Sequence, residues 1–326
     1  MPDISVIIPN YNHAGFLLQR IESVCKQTYP SFEVILLDDN STDNSREIIA
    51  AFREHEKVSH IVYNDHNVGA FRQWKRGIEL ARGKYIWIAE SDDVADPDFL
   101  TRLMQPFKND DSVILSYCRS RLINASGHDI GLHCWMDKLD SVRWKKDYIA
   151  DAGLEVKKYL RYRNTICNAS SVVFKKTPGI EELIPVDMDF CGDWLFWKRF
   201  LEQKGKIAYT HKALSFFRDH NQTTRAVSTI DRELKRYNEY MKFIAPTKWH
   251  VFEHRYDWMF REWLQRRHLL QVHGRELSLG LRIRYQLVSM VWHACNHIKK
   301  GARALPSDGL LFKSLKTLNG LRRANT

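Results

Sequence analysis

The chain has 326 residues, of which 44% are hydrophobic and 12% aromatic, and its formal net charge at pH 7 is +11. This composition supplies a sizeable apolar core and excludes an intrinsically disordered or low-complexity protein. The excess charge lies at one end, because residues 231–326 hold 19 Lys and Arg against 8 Asp and Glu, whereas residues 1–230 hold 31 of each.

The first hundred residues alternate between strand and helix patterns. Apolar, β-branched runs predict strands at residues 4–8, 32–37, 60–63 and 85–89. Helical periodicity follows each of the first three runs. Alternation at this spacing predicts parallel βαβ units whose loops gather at one edge of the sheet, and therefore an α/β fold.

Carboxylates follow two of these predicted strands. Asp38 and Asp39 follow the second, and Glu90, Asp92 and Asp93 follow the fourth. Three crowded carboxylates are electrostatically costly unless a cation lies among them, and a divalent ion that also holds substrate phosphates is the common solution. The pattern therefore predicts a site for metal and phosphate, with a solvated helix cap as the simpler alternative.

Other acidic residues in these loops are expected to cap helices. Thr42 and Asp43 precede the second predicted helix, and Asp96 precedes Pro97, which suits the first turn of the next one. Capping needs no ligand, so we assign these residues no binding role.

Five segments, taken together and in order, resemble the family 2 inverting glycosyltransferases of the type A fold. They are 6–12 (Val-Ile-Ile-Pro-Asn-Tyr-Asn), 37–43 (Leu-Asp-Asp-Asn-Ser-Thr-Asp), 67–69 (Asn-Val-Gly), 77–83 (Gly-Ile-Glu-Leu-Ala-Arg-Gly) and 91–93 (Ser-Asp-Asp). Each is weak alone, but their joint order is specific. The resemblance implies a Rossmann-like type A glycosyltransferase fold with a mostly parallel central sheet.

The resemblance also implies roles for particular residues. The donor nucleotide would be bound by Pro9, Tyr11, Asp39 and Asp92. Asp93 would bind a Mn or Mg ion on the donor diphosphate.

Two positions depart from the family pattern. Glu90 stands where the metal motif usually begins with aspartate, and residues 73–75 (Gln-Trp-Lys) replace an Ala-Arg-Asn segment. The second departure leaves open whether Arg72, Lys75 or Arg76 contacts phosphate.

Residues 113–229 would form the acceptor-binding half. A strand is predicted at 113–117, and the irregular segment 119–159 contains Trp135 and Trp144, which either stack on an acceptor sugar or belong to the core. Further on, Gly192 and Asp193 open a helix at the place where related enzymes carry their catalytic base. Inverting transfer needs a carboxylate that takes the acceptor proton, so we predict this role for Asp193, with a helix N-cap as the alternative.

A last strand is predicted at residues 208–217, and Arg218 and His220 follow it. Family members often end the domain with a similar motif whose histidine completes the metal shell. The resemblance therefore implies His220 as a metal ligand.

The six cysteines lack a Cys-x-x-Cys pair and no secretory leader precedes Ile4, so we expect a reduced, cytoplasmic setting without a zinc site. No apolar stretch approaches the ~20 residues of a membrane-spanning helix. The basic, aromatic-rich residues 230–326 are expected to be helical, and the amphipathic stretch 282–300 is expected either to lie on the inner face of the cytoplasmic membrane or to dock on a protein partner. Nucleic acid is not expected as a ligand, because no readout motif accompanies the charge.

The sequence thus predicts a catalytic domain at 1–229, with a nucleotide-sugar half at 1–112, and a helical region at 230–326. The predicted function is metal-dependent, inverting sugar transfer from a nucleoside-diphosphate sugar, UDP rather than GDP or dTDP. The acceptor would be a hydroxyl of a glycan or lipid-linked oligosaccharide in cell-surface polysaccharide synthesis. The alternatives are a nucleotidyltransferase acting on sugar phosphates and an inactive transferase-like scaffold at the membrane.

Overall fold

The computed structural model describes residues 1–133, 136–221 and 229–244, together with Gln286 and Met290. The strands are β1 (Ile4–Asn10), β2 (Phe32–Asp38), β3 (Val58–Tyr63), β4 (Tyr85–Ile88), β5 (Val94–Ala95), β6 (Val113–Ile123), β7 (Asp129–Leu132), β8 (Tyr148–Asp151), β9 (Val172–Lys175) and β10 (Lys206–Arg218). The helices are α1 (Ala14–Cys25), α2 (Ser45–Ala51), α3 (Ala70–Leu80), α4 (Phe99–Asn109), α5 (Ala152–Glu155), α6 (Gly192–Leu201) and α7 (Ile230–Ile244). Single-turn helices lie at Met136–Lys138, Arg143–Lys145, Val156–Leu160, Ala169–Ser171 and Ile180–Leu183.

Within these residues the ten strands form one sheet in the order β3-β2-β1-β4-β9-β6-β10-β5, with β7 beside β6 and β8 beside β10. Strands β3, β2, β1 and β4 are mutually parallel, and β6 is parallel to β10 along most of its length. Strand β9 joins these two halves by antiparallel pairing with β4 and β6. The predicted α/β fold with a mostly parallel central sheet is confirmed, and the carboxyl ends of β1, β2 and β4 meet at one edge.

Strand β1 continues through Pro9, although a proline cannot donate a hydrogen bond to a neighbouring strand. The pairing of β1 with β4 ends where Ile7 lies opposite Ile88, two residues before Pro9. The proline therefore lies beyond the end of β4, where its missing N–H costs no hydrogen bond in the sheet.

Two predicted boundaries are wrong, and each error has a local cause. Helix α4 begins at Phe99, and the Asp96 side chain accepts the Asp98 backbone N–H at 2.9 Å instead of capping the helix. The residues just before Asp96 form β5 by pairing with β10, which delays the helix. Strand β6 also runs past its predicted end at residue 117 to Ile123, because it continues to pair with β10 and β7.

Trp144 belongs to the core, because its side chain is fully buried and its Nε1 donates to the Tyr117 hydroxyl at 2.9 Å. The alternative that this ring stacks on a sugar is therefore wrong for Trp144. Trp135 lies outside the described residues.

The first compact unit runs from Met1 to Tyr240 and includes most of α7, and residues 241–326 form a second unit. Among the described residues, no helix combines the length and apolarity that crossing a membrane requires. Apart from Gln286 and Met290, the amphipathic stretch expected at 282–300 lies outside the described part of the chain.

Gly83 lies close to the backbone of β1, and its replacement gives a test of the packing. A Cβ at Gly83 would lie 2.6 Å from the Ser5 backbone nitrogen and 2.7 Å from the Ile4 carbonyl carbon. We expect Gly83→Ala to lower the free energy of unfolding by about 1–3 kcal/mol, because backbone must move to admit the methyl group. Urea unfolding followed by circular dichroism measures this.

The matched control is Gly15→Ala in α1, where an added Cβ has no neighbouring atom within 4 Å. That change should be neutral or stabilise the helix by up to about 1 kcal/mol. Equal stability of the two variants would contradict the packing described for Gly83.

Candidate active site

The loops after β1 and β2 are joined by side-chain hydrogen bonds. Asn10 Nδ2 donates to Asp38 Oδ1 and to Ser41 Oγ, at 3.1 Å in both cases. Asn12 has a φ of 54°, a left-handed conformation that asparagine tolerates, and its Oδ1 accepts the Thr42 backbone N–H at 2.7 Å. Asp38 makes its hydrogen bonds within this network, so it is not available to a ligand.

Asp43 joins the same two loops from the helix side. Its Oδ2 accepts the Ala14 N–H at the start of α1, at 2.9 Å, and its Oδ1 accepts the Ser45 N–H at the start of α2, at 3.0 Å. Asp43 thus binds the first N–H of both helices, although the N-cap of α2 is Asn44, and the predicted capping by Thr42 is wrong because its hydroxyl faces Asn12 Oδ1. In the loop after β1, Tyr11 is 46% exposed, whereas Pro9 is buried near the end of β1.

Asp39 is buried and holds the loop before α3. Its Oδ1 accepts hydrogen bonds from Asn64 Nδ2, the Val68 N–H and Gln73 Nε2, at 2.8, 2.9 and 2.8 Å. Its Oδ2 accepts the Gly69 N–H at 2.8 Å. Because a carboxylate oxygen accepts about two hydrogen bonds, Oδ2 keeps capacity for one more donor while Oδ1 is saturated.

The three carboxylates after β4 have different surroundings. Asp92 Oδ2 lies 3.0 Å from His220 Nε2, whereas Asp93 is buried and its Oδ1 accepts the Arg218 backbone N–H at 2.9 Å. Burial and the charge of Asp92 raise the pKa of Asp93. Burial acts in the same direction on Asp92, but the hydrogen bond from His220 and the nearby charge of His13 outweigh it and lower the pKa of Asp92.

Asp92, His13 and His220 form the group that could hold a metal ion. Each offers one ligand atom, and the three atoms lie within 4.8 Å of one another. His13 Nδ1 lies 2.8 Å from Ser91 Oγ, so Nε2 is its nitrogen for a cation. One carboxylate with two imidazoles fits Mn²⁺ or another transition ion better than Mg²⁺, which favours oxygen ligands.

Asp93 does not belong to this group of three, although the resemblance assigns the metal to it. The geometry instead brings together Asp92, which the resemblance places at the nucleotide, and His220, which it places at the metal. His13 joins them, although no role was predicted for it, since a lone histidine in a loop carries no distinctive signal.

Arg218 is not available to a phosphate group, because its guanidinium nitrogens bind the protein. Its Nε donates to the Asp92 carbonyl oxygen at 2.6 Å, and one terminal nitrogen donates to Gln19 Oε1 at 2.7 Å. The other donates to the carbonyl oxygens of Asn124 and Ala125, both at 3.1 Å. Arg218 thus fixes the acidic turn to the end of β10 and to α1.

Arg20 supplies a buried positive charge on α1. Its side chain is fully buried 5.1 Å from the Trp87 ring, and none of its three guanidinium nitrogens has a hydrogen-bond partner among the described residues. Burial lowers the pKa of Arg20 to about 10, against the opposing charges of Asp93, Asp92 and Glu90. The guanidinium therefore remains a cation at neutral pH and offsets part of the acidic charge.

The two departures from the family pattern contact each other. Trp74 Nε1 donates to Glu90 Oε1 at 2.8 Å, and the neighbouring Gln73 binds Asp39. Burial and the charge of Asp92 raise the pKa of Glu90 to about 8. Neither residue that replaces the Ala-Arg pair brings a positive charge to the site.

The cations near Gln73 and Trp74 have partners away from the carboxylates. Lys75 Nζ lies 2.8 Å from Glu182 Oε1, and Arg72 donates to the Val68 carbonyl oxygen at 3.1 Å. Arg76 lies 3.7 Å from Glu79 on the exposed surface of α3.

Asp193 lies in the first turn of α6 and does not cap it, because the N-cap position is Cys191. Its Oδ2 accepts a hydrogen bond from Asn164 Nδ2 at 2.8 Å. Helix α3 connects this turn to the acidic cluster: a Cβ on Gly192 would lie 2.4 Å from the Phe71 ring, and Trp74 packs against α6. Asn164 is a second residue whose role the sequence did not reveal.

Comparison with known proteins identifies related sequences. Residues 5–150 match the family model for Glycosyl transferase family 2. A segment of 104 residues is 34% identical to the putative teichuronic acid biosynthesis glycosyltransferase TuaG of Bacillus subtilis, and it covers 32% of this chain and 41% of TuaG. The chain thus spans less than half the length of this curated relative.

Two solved structures share the fold. The S. aureus TarS 1–349 complex with UDP-GlcNAc has a TM-score of 0.59 at 16% identity, over 88% of this chain and 79% of that one. The mannosyltransferase PcManGT from Pyrobaculum calidifontis, in complex with GDP-Man and Mn2+, has a TM-score of 0.55 at 17% identity, over 97% and 80%. At these identities the likeness shows the fold alone, which is the glycosyltransferase type A fold.

The raised pKa of Glu90 has a measurable effect on stability. Between pH 5 and 8 the folded protein keeps a proton on Glu90 that the unfolded chain releases, so this residue makes the free energy of unfolding fall as the pH rises. We expect Glu90→Gln, which stays neutral and can still accept from Trp74, to weaken that fall. Urea unfolding at pH 5, 6.5 and 8 in EDTA measures the slope.

Glu79→Gln is the matched control, because Glu79 is an exposed glutamate of α3. Its pH profile should run parallel to that of the unmodified protein. If the Glu90→Gln profile also runs parallel, Glu90 is ionised in the folded state and the assignment is wrong.

Proposed function

We propose that this chain, which belongs to glycosyltransferase family 2 through residues 5–150, transfers a sugar from a nucleoside-diphosphate donor to a hydroxyl group with inversion at the anomeric carbon. The observation that carries the proposal is the meeting of the loops after β1, β2 and β4 at one sheet edge, where Asp92 lies between two histidines. TuaG is named for teichuronic acid biosynthesis, which supports a glycan or lipid-linked acceptor in polysaccharide synthesis. We further propose peripheral membrane association through residues 230–326.

The nucleoside is assigned to the loops after β1 and β2. Tyr11 presents an exposed ring beside the buried Pro9, and an aromatic face of this kind stacks on a nucleobase. Asp39 Oδ2 has one hydrogen-bonding position left, which suits the ring N–H of uracil. The TarS complex contains UDP-GlcNAc and favours UDP, whereas the PcManGT complex contains GDP-Man and makes a GDP-sugar the second candidate.

The diphosphate is assigned to the acidic turn after β4. No cation from Lys75 or Arg218 is available there, because both side chains bind other residues. His13, Asp92 and His220 would hold a divalent ion, preferably Mn²⁺, and that ion would neutralise charge on the departing diphosphate. Asp93 supports this site by accepting the Arg218 backbone N–H, a hydrogen bond that keeps the acidic turn in place.

Asp193 is assigned as the catalytic base. Its carboxylate takes the proton of the acceptor hydroxyl while that oxygen attacks the anomeric carbon, and the bond from this carbon to the phosphate oxygen breaks with its electron pair. The nucleoside diphosphate leaves on the opposite face, which inverts the configuration. Asn164 orients the carboxylate by donating to Oδ2 at 2.8 Å.

Isothermal titration with UDP, GDP and dTDP, each with and without Mn²⁺, tests the donor site. We expect the unmodified protein to bind one of them in a Mn²⁺-dependent way, and Asp92→Ala to weaken that binding at least ~10-fold. Asp111→Ala is the matched control, since Asp111 is exposed beside the start of β6. Binding of none of the three, or metal-independent binding that Asp92→Ala leaves unchanged, would contradict the assignment and favour a scaffold.

Asp193→Asn separates binding from chemistry. We expect this variant to keep Mn²⁺-dependent nucleotide binding and to lose roughly 10²- to 10⁴-fold in turnover, because the amide cannot take a proton. Release of UDP from UDP-GlcNAc, or of GDP from GDP-mannose, with water as acceptor, measures turnover. Retained turnover would exclude Asp193 as the base, and formation of a nucleotide sugar from UTP and a sugar phosphate would indicate a nucleotidyltransferase.

A further inference from the structure

Helix α7 follows the expected end of the catalytic domain at residue 229, yet it contacts the segment that precedes the proposed base. The Glu239 side chain is buried, and its carboxylate accepts three backbone N–H groups. Oε1 accepts from Asp189 at 2.7 Å, and Oε2 accepts from Phe190 at 2.9 Å and from Cys191 at 2.8 Å. These three residues lead directly into Gly192 and Asp193.

A carboxylate suits this place for two reasons. The N–H groups that precede and begin a helix have no partner within it, and the side chain of the N-cap Cys191 makes no capping hydrogen bond. The amino end of a helix also carries partial positive charge, which favours an anion. Glu239 therefore binds, from a distant part of the chain, the three N–H groups that lead into α6, whereas an N-cap side chain ordinarily accepts the N–H of the second or third helical residue.

The rest of the same α7 face also contacts this segment. Lys235 Nζ lies 2.5 Å from Asp189 Oδ2, and the guanidinium carbons of Arg236 and Arg232 lie 4.4 and 5.3 Å from the Phe190 ring. The spacing from Arg232 through Lys235 and Arg236 to Glu239 is that of a single helix face. One continuous face of α7 thus packs against Asp189 and Phe190.

Asp193 is consequently held from two directions. On the side of α3, Gly192 is pressed against the Phe71 ring so closely that a Cβ would lie 2.4 Å from it. On the side of α7, Glu239 accepts the three N–H groups of residues 189–191, which directly precede the turn. A shift of the turn by a fraction of an ångström would misalign the base, and catalysis is sensitive to displacements of this size.

We propose that Glu239 is a positioning residue that fixes the first turn of α6 and thereby aims Asp193 at the acceptor hydroxyl. This inference rests on the proposed role of Asp193 as the base. It extends the catalytic unit into α7 and assigns that helix a part in acceptor activation, separate from donor binding.

Glu239→Gln tests the proposal, because glutamine keeps the size of the side chain but presents an NH₂ group to one of the three N–H donors. We expect turnover of UDP-GlcNAc or GDP-mannose with water to fall ~10- to 100-fold. The KM for the donor and the Mn²⁺-dependent affinity for UDP or GDP should stay unchanged. Hydrogen exchange of the amides of residues 189–191 should become faster.

Two further variants make the result specific. Glu239→Asp keeps the carboxylate and should restore part of both the turnover and the amide protection. Glu202→Gln changes an exposed glutamate at the opposite end of α6, where it pairs with Lys198 at 3.0 Å, and should leave both quantities as they are. Circular dichroism and thermal unfolding verify that each variant is folded.

The outcomes separate the two proposals. Unchanged turnover in Glu239→Gln, or a loss that is matched by a loss of donor affinity or is not restored at all by Glu239→Asp, overturns the positioning role while donor binding stands. An unmodified protein that neither binds a nucleoside diphosphate nor turns over either sugar overturns the proposed function itself. In that case, amide exchange at 189–191 still shows whether Glu239 holds the segment.

Discussion

The cost of placing Glu90, Asp92 and Asp93 together at the end of β4 is the constraint on which this site depends. Carboxylates in such a place must be protonated, paired with a positive charge or bound to a cation. Burial and the charge of Asp92 raise the pKa of Glu90 to about 8, which favours its protonated form at neutral pH. Arg20 is a buried cation whose charge opposes those of the three carboxylates, and Asp92 forms with two imidazoles a group that could hold a metal ion. The position of α1 follows from this, because it carries the compensating charge.

The same constraint explains why so many polar residues here bind the protein itself. Asp38 and Asp39 hold the neighbouring loops in place by accepting hydrogen bonds from side chains and backbone N–H groups. Arg218 connects the acidic turn to the end of β10. Buried polar groups that lacked such partners would destabilise the edge by an amount comparable to a lost hydrogen bond each. A loop shaped in this way is set before a ligand arrives, which reduces the ordering cost of binding.

The sequence predicted the parts of this arrangement that depend on local pattern. Alternating strands and helices gave the parallel sheet, and the strand ends located the acidic cluster. Sequence alone could not say which carboxylate meets the histidines, since Asp92 and Asp93 are adjacent and only the turn decides that Asp93 faces the Arg218 backbone. His13 and Glu239 were missed for another reason, because their partners lie 79 and about 50 residues away and neither belongs to a motif.

Helix α3 gives the departures from the family pattern a physical meaning. A glutamate at position 90 reaches one methylene further than an aspartate, and the Trp74 indole meets it with its N–H. The other side of the same indole packs on Phe196 and Trp197 of α6. One side chain thus contacts both Glu90 and α6, the helix of the proposed base, so the packing of these two elements is coupled through Trp74. The acidic turn after β4 and helix α6 are therefore packed together through Trp74. The two departures from the family pattern, at positions 74 and 90, form one interacting pair and are best interpreted together.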